Sequence, residues 1–256
     1  MLRLFAEMPI WGVFVVTLLL VIASVEVGYS WAARRKQHRR REDEAPVGAM
    51  VGATLGLLAF LLTFTFGIAA DAFHARKVAL LEEANAIRMT YLLSDVIPEA
   101  QRGEIRTVLR QYVDERLRWT SGQPDGPGTS ARALLDRLWR LAAAVGAQNP
   151  GGVDVFLGYV GRVIELQQER VMVRERSRIP DAYWLVLYFV ALLALSSVGY
   201  HCGVAGKSRS PVMLAVAIAF SAVIMVIADL DRPGRGYINV SQEPMEDLRA
   251  TVAAKP

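Results

Sequence analysis

Three acidic residues, Glu26, Asp229 and Asp231, lie inside or at the edge of long apolar stretches. A carboxylate at membrane depth is costly unless it is hydrated, protonated or paired, so each is a candidate functional group. Glu26 can have a functional role within the membrane, reach the interface, or pair with an arginine of the basic segment that follows. Asp229 and Asp231 can bind a cation or line an exit, although an ion pair with Arg232 at the helix end is the simpler interpretation.

No catalytic constellation appears elsewhere in the sequence. The histidines His38, His74 and His201 are scattered, no serine has a nucleophile-elbow context, and no phosphate-binding glycine loop precedes a helix. The single cysteine, Cys202, excludes an intramolecular disulfide and a cysteine-rich metal site. We therefore expect no enzyme activity, no metal and no cofactor.

The elements that must position these residues are four long apolar stretches. Of the 256 residues, 53% are hydrophobic and 21% are charged, and the two kinds are separated along the chain. A bilayer core of about 30 Å requires about 20 helical residues. We predict an all-α integral membrane protein with two transmembrane hairpins and a helical extramembrane domain between them, and its spans are residues 9–31, 47–70, 183–202 and 211–228. The corresponding segments are 1–70 with a basic connecting loop, 71–181, 182–229, and a tail from 230 to 256.

The second span carries the most specific pattern. Glycines recur every fourth residue, which predicts a packing face for another helix: Gly48, Gly52 and Gly56. Farther along, Phe60 and Phe64 share a face beside Thr63. These rings could form a hydrophobic constriction if several copies surrounded a pore. The alternative is that they contact lipid or neighbouring helices, and spacing alone favours that alternative.

Between the hairpins, apolar residues return to helical spacing, which predicts a helical bundle. The second span should continue beyond the membrane, and three more helices should follow, with a turn at Pro98, a loop at 122–128 and a cap at Ser130. The expected buried positions are Leu80, Ala84, Ile87 and Tyr91; Ile105, Leu109, Tyr112 and Val113; Leu134, Leu138, Leu141 and Val145; and Phe156, Val160, Val163 and Ile164. The charged faces are expected to be solvated.

Basic residues cluster after the first span and before the third. The net charge is +4, but clusters beside a span usually set topology and meet anionic lipid, so membrane lipids rather than nucleic acid are the expected partners. The first cluster comprises Arg34, Arg35, Lys36, Arg39, Arg40 and Arg41. The second, which suggests headgroup contact or an anion vestibule, comprises Arg170, Arg174, Arg176 and Arg178. A cytoplasmic first cluster would place the helical domain outside.

Several motifs resemble the bestrophin-like family of bacterial membrane proteins. They are the segment from Glu26 to Tyr29, the glycine and phenylalanine pattern of the second span, Glu83 with Asn85, the run from Asp229 through Pro233 to Gly236, and Ser241 with Pro244. The resemblance covers nearly the whole chain. It implies a similarity to bestrophins, which are pentameric chloride channels with hydrophobic residues four apart in the second span.

Two hypotheses follow from the residues and the resemblance. The first is a homo-oligomeric ion channel, possibly a pentamer by analogy, that conducts small inorganic anions in a bacterial cytoplasmic membrane, with Phe60 and Phe64 as the constriction. The second is a membrane-anchored scaffold or sensor whose helical domain binds a partner. The acidic calcium clasp of animal bestrophins has no counterpart here, and the orientation of bestrophins is opposite to the one that the basic clusters predict.

Overall fold

The computed structural model describes residues 8–37, 44–120, 129–148, 151, 153–176, 178–206, 211–232, 234 and 236–254, and every regular element in these ranges is helical. In the described ranges there are eight α-helices: α1 (Ile10–Gln37), α2 (Glu44–Leu93), α3 (Glu99–Thr120), α4 (Thr129–Gln148), α5 (Asp154–Arg176), α6 (Asp181–Val204), α7 (Pro211–Leu230) and α8 (Glu243–Ala254). A 3₁₀ turn, Ser94–Val96, joins α2 to α3. The predicted all-helical class is confirmed.

Four of these helices are long and apolar enough to cross a membrane: α1, the first part of α2, α6 and α7. The chain forms two compact units. The membrane unit comprises residues 1–72 and 178–239, and the polar unit comprises residues 73–177 and 240–256. Each is described by itself below.

In the membrane unit, α1 and α6 run parallel to each other. The hydroxyls of Thr17 and Tyr188 are 2.8 Å apart, and about two turns farther along α1 the Ser24 hydroxyl donates to the Leu192 carbonyl. Contacts thus advance in the same direction along both helices. Helix α7 also packs against α1, around a small apolar cluster of Val21, Val25, Leu195 and Ala217.

Glycine allows the closest approach of α1 to α6. A Cβ on Gly28 would overlap the Ser196 carbonyl, and a Cβ on Gly199 would overlap the Val25 carbonyl. Gly203 lies against Ala32 and the Tyr29 carbonyl in the same way. These residues make the intimate helix contact of the membrane unit, because apolar side chains gain little by leaving lipid and close backbone packing must supply the attraction.

The polar unit has a large apolar core formed by α2, α3, α4, α5 and α8. The buried stripes predicted on α2 and α3 are confirmed, as is the role of Phe156, Val160 and Val163 on α5. On α4 the fully packed face is slightly rotated, since Leu135 and Ala142 are buried while Leu134 and Leu141 are only partly so. Burial of this surface is the main driving force for packing outside a membrane.

Two details of the polar unit differ from the expectation. Ser130 lies within the first turn of α4 and donates to a Glu115 carboxylate oxygen at 2.6 Å, so the predicted cap is wrong. The sequence analysis predicts no helix in the tail, yet α8 forms there and buries Met245, Leu248 and Val252 in the core. The spacing of these three residues and Pro244 in the first turn could have predicted it. The predicted loop at 122–128 lies outside the described residues.

Candidate functional site

The outward face of α2 consists of Ala53, Gly56, Phe60, Thr63 and Phe64, all of which are exposed. Only 11% of the apolar stretch of α2 is buried within the chain, against 28% for each of the other three candidate spans. One narrow stripe, which includes Leu58 and Leu62, does face the membrane unit. Helix α2 therefore presents most of its apolar circumference to whatever surrounds a single chain.

Phe60 and Phe64 are 65% and 53% exposed, and their rings stack on each other with centroids 6.4 Å apart. The Thr63 hydroxyl beside them donates to the Ala59 carbonyl of its own helix, at 2.9 Å. The pair therefore forms one continuous aromatic surface along α2, as residues four apart on a helix should.

The three glycines predicted to form a packing face have different surroundings in the structure. A Cβ on Gly48 would lie 3.2 Å from Cε1 of the His201 ring, so this glycine packs within the chain. A Cβ on Gly52 or Gly56 would have no atom within 4 Å. On a helix with about 100° per residue, Gly56 and Gly52 lie about 40° and 80° around from Phe60. The outward face thus has phenyl rings beside a flat glycine strip that no described part of the same chain covers.

The two acidic residues at the end of α7 hold backbone groups. Both carboxylate oxygens of Asp229, which is 2% exposed, accept backbone N–H groups, from Tyr237 at 2.9 Å and Ile238 at 2.8 Å. Asp231 accepts the N–H of Ile179 at 2.7 Å, just before α6 begins. The two carboxylates therefore fix the chain before α6 and after α7.

Other residues of the same end complete this arrangement. The Arg232 guanidinium donates to the Met8 carbonyl at 2.6 Å. Gly236 is required beside Asp229, because a side chain there would overlap the carboxylate. Separately, in the polar unit, the Ser241 hydroxyl accepts the Glu243 N–H, and Pro244 lies in the first turn of α8. Pro233 lies outside the described residues.

At the other end of α1, aromatic and basic side chains form a cluster. Trp31 and Tyr200 meet edge to face at 5.8 Å, and the Arg35 guanidinium lies 5.4 Å from the Trp31 ring centroid. Glu26 is half-buried and lies between Val25 and Gly28, at the level where α1 and α6 approach most closely. Of the first basic cluster, Arg39, Arg40 and Arg41 lie outside the described residues.

The polar unit contains a buried charge cluster, which consists of Glu83, Tyr112, Arg116 and Arg170. Glu83 is fully buried, and its Oε1 accepts the Tyr112 hydroxyl at 2.6 Å. Its Oε2 lies 3.3 Å from Nε of Arg116 and 3.0 Å from Nε of Arg170. One carboxylate from α2 thus binds α3 and α5 together.

The charges of this cluster alter two pKa values. Burial, followed by the negative charge of Glu83, raises the pKa of Tyr112 well above its ordinary value, so the phenol stays protonated as a donor. Burial and the neighbouring Arg170 lower the pKa of Arg116, and the Glu83 carboxylate counteracts this effect. Glu83 therefore holds two guanidiniums that would otherwise repel each other in a dry environment.

The charge cluster corrects one expectation and was only partly visible in sequence. Arg170 is 8% exposed, so the predicted headgroup contact is wrong for this residue. Side chains of Arg174 and Arg176 lie outside the described set, and Arg178 is exposed. Glu83 was identified only through a family motif, while its neighbour in that motif, Asn85, is exposed. The sequence signal for Arg116 was its spacing of four from Tyr112 on a buried stripe.

These features define an α-helical membrane protein with four apolar candidate spans and a separate helical polar unit. The chain belongs to the bestrophin-like family, since the model of the bestrophin-like domain matches residues 18–245. The resemblance noted in the sequence is thereby confirmed. No curated protein sequence matches the chain.

Solved structures show the same fold at low sequence identity. A single-substitution variant of a bacterial bestrophin homolog from Klebsiella pneumoniae aligns over 95% of this chain and 96% of that one, with 13% identity and a TM-score of 0.67. Another variant of that homolog aligns over 95% and 93%, with 14% identity and a TM-score of 0.63. A further crystal structure of the homolog gives 14% identity over 95% of both chains, with a TM-score of 0.58.

Proposed function

We propose that the protein is a homo-oligomeric ion channel that conducts anions across a bacterial cytoplasmic membrane, with the outward face of α2 lining the pore. The observation that carries the proposal is the exposed Phe60–Phe64 stack on a helix whose apolar stretch is only 11% buried. Copies of α2 around an axis would bring these rings together as a hydrophobic constriction that can gate by dewetting.

The glycine strip supports an assembly of copies. Gly52 and Gly56 lie beside the phenyl rings, with no atom within 4 Å of a constructed Cβ. In lipid, small residues promote association because they let backbones approach closely. If the rings of several copies point at a common axis, the glycine strip flanks that axis and can receive the neighbouring α2. In a closed ring of copies, every copy makes the same contacts with its two neighbours. Five copies is the number that the resemblance to bestrophins implies.

The order of the spans supports a multi-pass arrangement in two hairpins. Helices α1 and α6 are parallel, and each is followed by a further apolar helix. The contact of Gly48 with His201 and the packing of Leu55 against the α1–α6–α7 cluster make α2 antiparallel to α6. Conduction rather than catalysis is the activity that this arrangement supports.

Flux measurements test the channel directly. The purified protein in liposomes should pass chloride, and Phe60→Ala or Phe64→Ala should increase the flux several-fold because the apolar barrier is shortened. Phe189→Ala is the matched control, since Phe189 on α6 is 61% exposed and lies outside the outward face of α2. Absence of flux in any salt would overturn the channel and favour a membrane-anchored scaffold. Equal flux in all three variants would place the constriction elsewhere.

Sidedness is decided by thiol labelling in a Cys202→Ala background. We propose that the connection between α1 and α2 is cytoplasmic, because of its basic residues. A cysteine introduced at residue 40 should then resist a membrane-impermeant reagent in intact cells, while one at residue 125 should react. The reverse pattern would give the orientation that the resemblance to bestrophins implies.

A further inference from the structure

The C-terminal part of α1 presents aromatic and basic side chains on one exposed face. Trp31, Arg34 and Arg35 are spaced three and four residues apart, so they lie on the same side of the helix. All three side chains are exposed, and Trp31 is 59% exposed. Two guanidiniums therefore lie beside an indole ring at the surface of the membrane unit.

Tyr200 of α6 extends this face onto a second helix. Its ring meets Trp31 edge to face with centroids 5.8 Å apart, and its hydroxyl accepts a hydrogen bond from Nη1 of Arg35 at 3.4 Å. The Arg35 guanidinium also lies 5.4 Å from the Trp31 ring centroid. The two helices pack so closely here that a Cβ on Gly203 would overlap α1. We call the four side chains the aromatic–basic face: Trp31, Arg34, Arg35 and Tyr200.

The aromatic–basic face lies where two candidate spans end. The span in α1 ends at Arg35 and the span in α6 ends at Val204. Because α1 and α6 are parallel, both ends lie on the same side of the membrane. Tryptophan and tyrosine rings favour the depth of the lipid headgroups, and basic residues there attract anionic lipid. A guanidinium has five N–H donors, so Arg35 can bind a further acceptor while it keeps its contacts with Trp31 and Tyr200.

We propose that the aromatic–basic face binds the headgroup of one anionic phospholipid. The lipid phosphate would accept hydrogen bonds from Arg34 and Arg35, while the glycerol and the upper part of the acyl chains would lie against Trp31. Guanidiniums bind phosphate through charge-assisted hydrogen bonds, which are often bidentate. Two positive charges favour a lipid with a net negative charge over a zwitterionic lipid, whose own ammonium group already neutralises its phosphate.

The bound lipid would contact α1 and α6 together, and so would stabilise this end of the membrane unit. The inference requires that these two helices cross the membrane, but it does not require conduction. It is also separate from the outward face of α2, which carries the proposed pore. A protein that selects anionic lipid but passes no ions would keep this inference and lose the channel. A protein that passes ions without lipid preference would do the reverse.

The test adds phosphatidylglycerol, phosphatidylcholine or inorganic phosphate to the full-length protein in detergent. Native mass spectrometry measures the binding of each lipid, and thermal unfolding measures its effect on Tm. Wild type should bind phosphatidylglycerol more tightly than phosphatidylcholine and gain a few degrees in Tm, because a ligand that binds the folded state stabilises it. Inorganic phosphate should give no such gain, because it lacks the apolar part that lies against Trp31.

Substitutions locate the binding site. Arg35→Gln should weaken phosphatidylglycerol binding about tenfold, because charge-assisted hydrogen bonds are lost. Arg118→Gln is its matched control, since Arg118 is 63% exposed and belongs to the polar unit. Trp31→Leu should also weaken the binding. Its matched control is Trp11→Leu, because Trp11 is 61% exposed near the start of the same helix.

Arg34→Gln keeps the test decisive if one of the site variants fails to fold. It replaces an exposed side chain of the same face and should also weaken phosphatidylglycerol binding, at unchanged helical content by circular dichroism. Equal binding of the two lipids by wild type would overturn the proposal, as would an equal gain in Tm from inorganic phosphate. Undiminished phosphatidylglycerol binding in the folded site variants, or an equal loss in the control variants, would overturn it as well.

Discussion

The two halves of α2 have different surroundings, because the first belongs to the membrane unit and the second to the polar unit. Before Ala72 the helix buries one stripe and exposes Phe60 and Phe64, whereas beyond Phe73 its residues Ile87 and Tyr91 are part of a dense apolar core. In lipid an exposed phenyl ring loses nothing, while in water an exposed core residue costs about 1.5–3 kcal/mol. The same helix therefore buries its apolar side chains in the polar unit and exposes many of them in the membrane unit.

The two units also stabilise their helix contacts by different means. The membrane unit relies on Gly28 and Gly199 at the closest approach, together with hydroxyl contacts such as that of Ser24 to the Leu192 carbonyl. The polar unit joins α2, α3 and α5 through apolar burial and the carboxylate of Glu83. A substitution should thus be damaging in one unit through steric overlap, and in the other through an uncompensated charge.

The largest effect should come from Glu83→Ala. Removal of this carboxylate leaves two buried guanidiniums facing each other, which should lower the free energy of unfolding by about 3–5 kcal/mol. The measurement is denaturant or thermal unfolding of the purified protein. Glu82→Ala is the neighbouring control, because Glu82 is exposed and its partner Arg162 is equally solvated. Similar losses in the two variants would refute the role assigned to the cluster.

A smaller loss is expected from Gly199→Ala in the membrane unit. The added methyl group would overlap the Val25 carbonyl, so α1 and α6 must move apart, at a cost of about 1–3 kcal/mol. Gly52→Ala is the contrasting control. Its methyl group meets no atom within 4 Å in a single chain, and alanine favours a helix by about 1 kcal/mol. The Tm in detergent should fall for the first variant only.

The Gly52→Ala variant also sharpens the proposed assembly. If the glycine strip receives the α2 helix of a neighbouring copy, the methyl group should weaken the oligomer without unfolding the chain. Size-exclusion chromatography with light scattering would show a smaller particle for Gly52→Ala at unchanged helical content. An unchanged particle would mean that the strip faces lipid.

The smallest effect concerns Tyr112→Phe. At neutral pH the loss of the hydrogen bond to Glu83 should cost about 1 kcal/mol. Because the pKa of Tyr112 is raised in the folded protein, above about pH 10 the unfolded chain loses a proton that the folded chain keeps. The stability of wild type should fall with pH there, by up to about 1.4 kcal/mol per pH unit more than that of the variant. Parallel curves would contradict the raised pKa.

Much of the fold follows from periodicity, because long apolar runs and helical spacing depend on local sequence alone. The four apolar stretches and the buried residues of α3 and α5 were predictable in this way. The docking of α8 was missed, although its spacing of apolar residues carried the signal. The spacing of Arg116 from Tyr112 indicated one member of the charge cluster, but pattern could not bring the cluster together, because Glu83, Arg116 and Arg170 are far apart in the chain.

By itself, the sequence determined that the chain is helical, that four stretches suit a membrane, and that Phe60 and Phe64 share one face of α2. Those properties depend on residue type and on the fixed geometry of a helix. Only the tertiary structure decided that Gly28 and Gly199 make the close contact while Gly52 and Gly56 remain uncovered. It likewise decided that Asp229 binds backbone N–H groups and that Arg170 is buried. Contacts between distant segments depend on how helices approach one another, which local spacing does not specify.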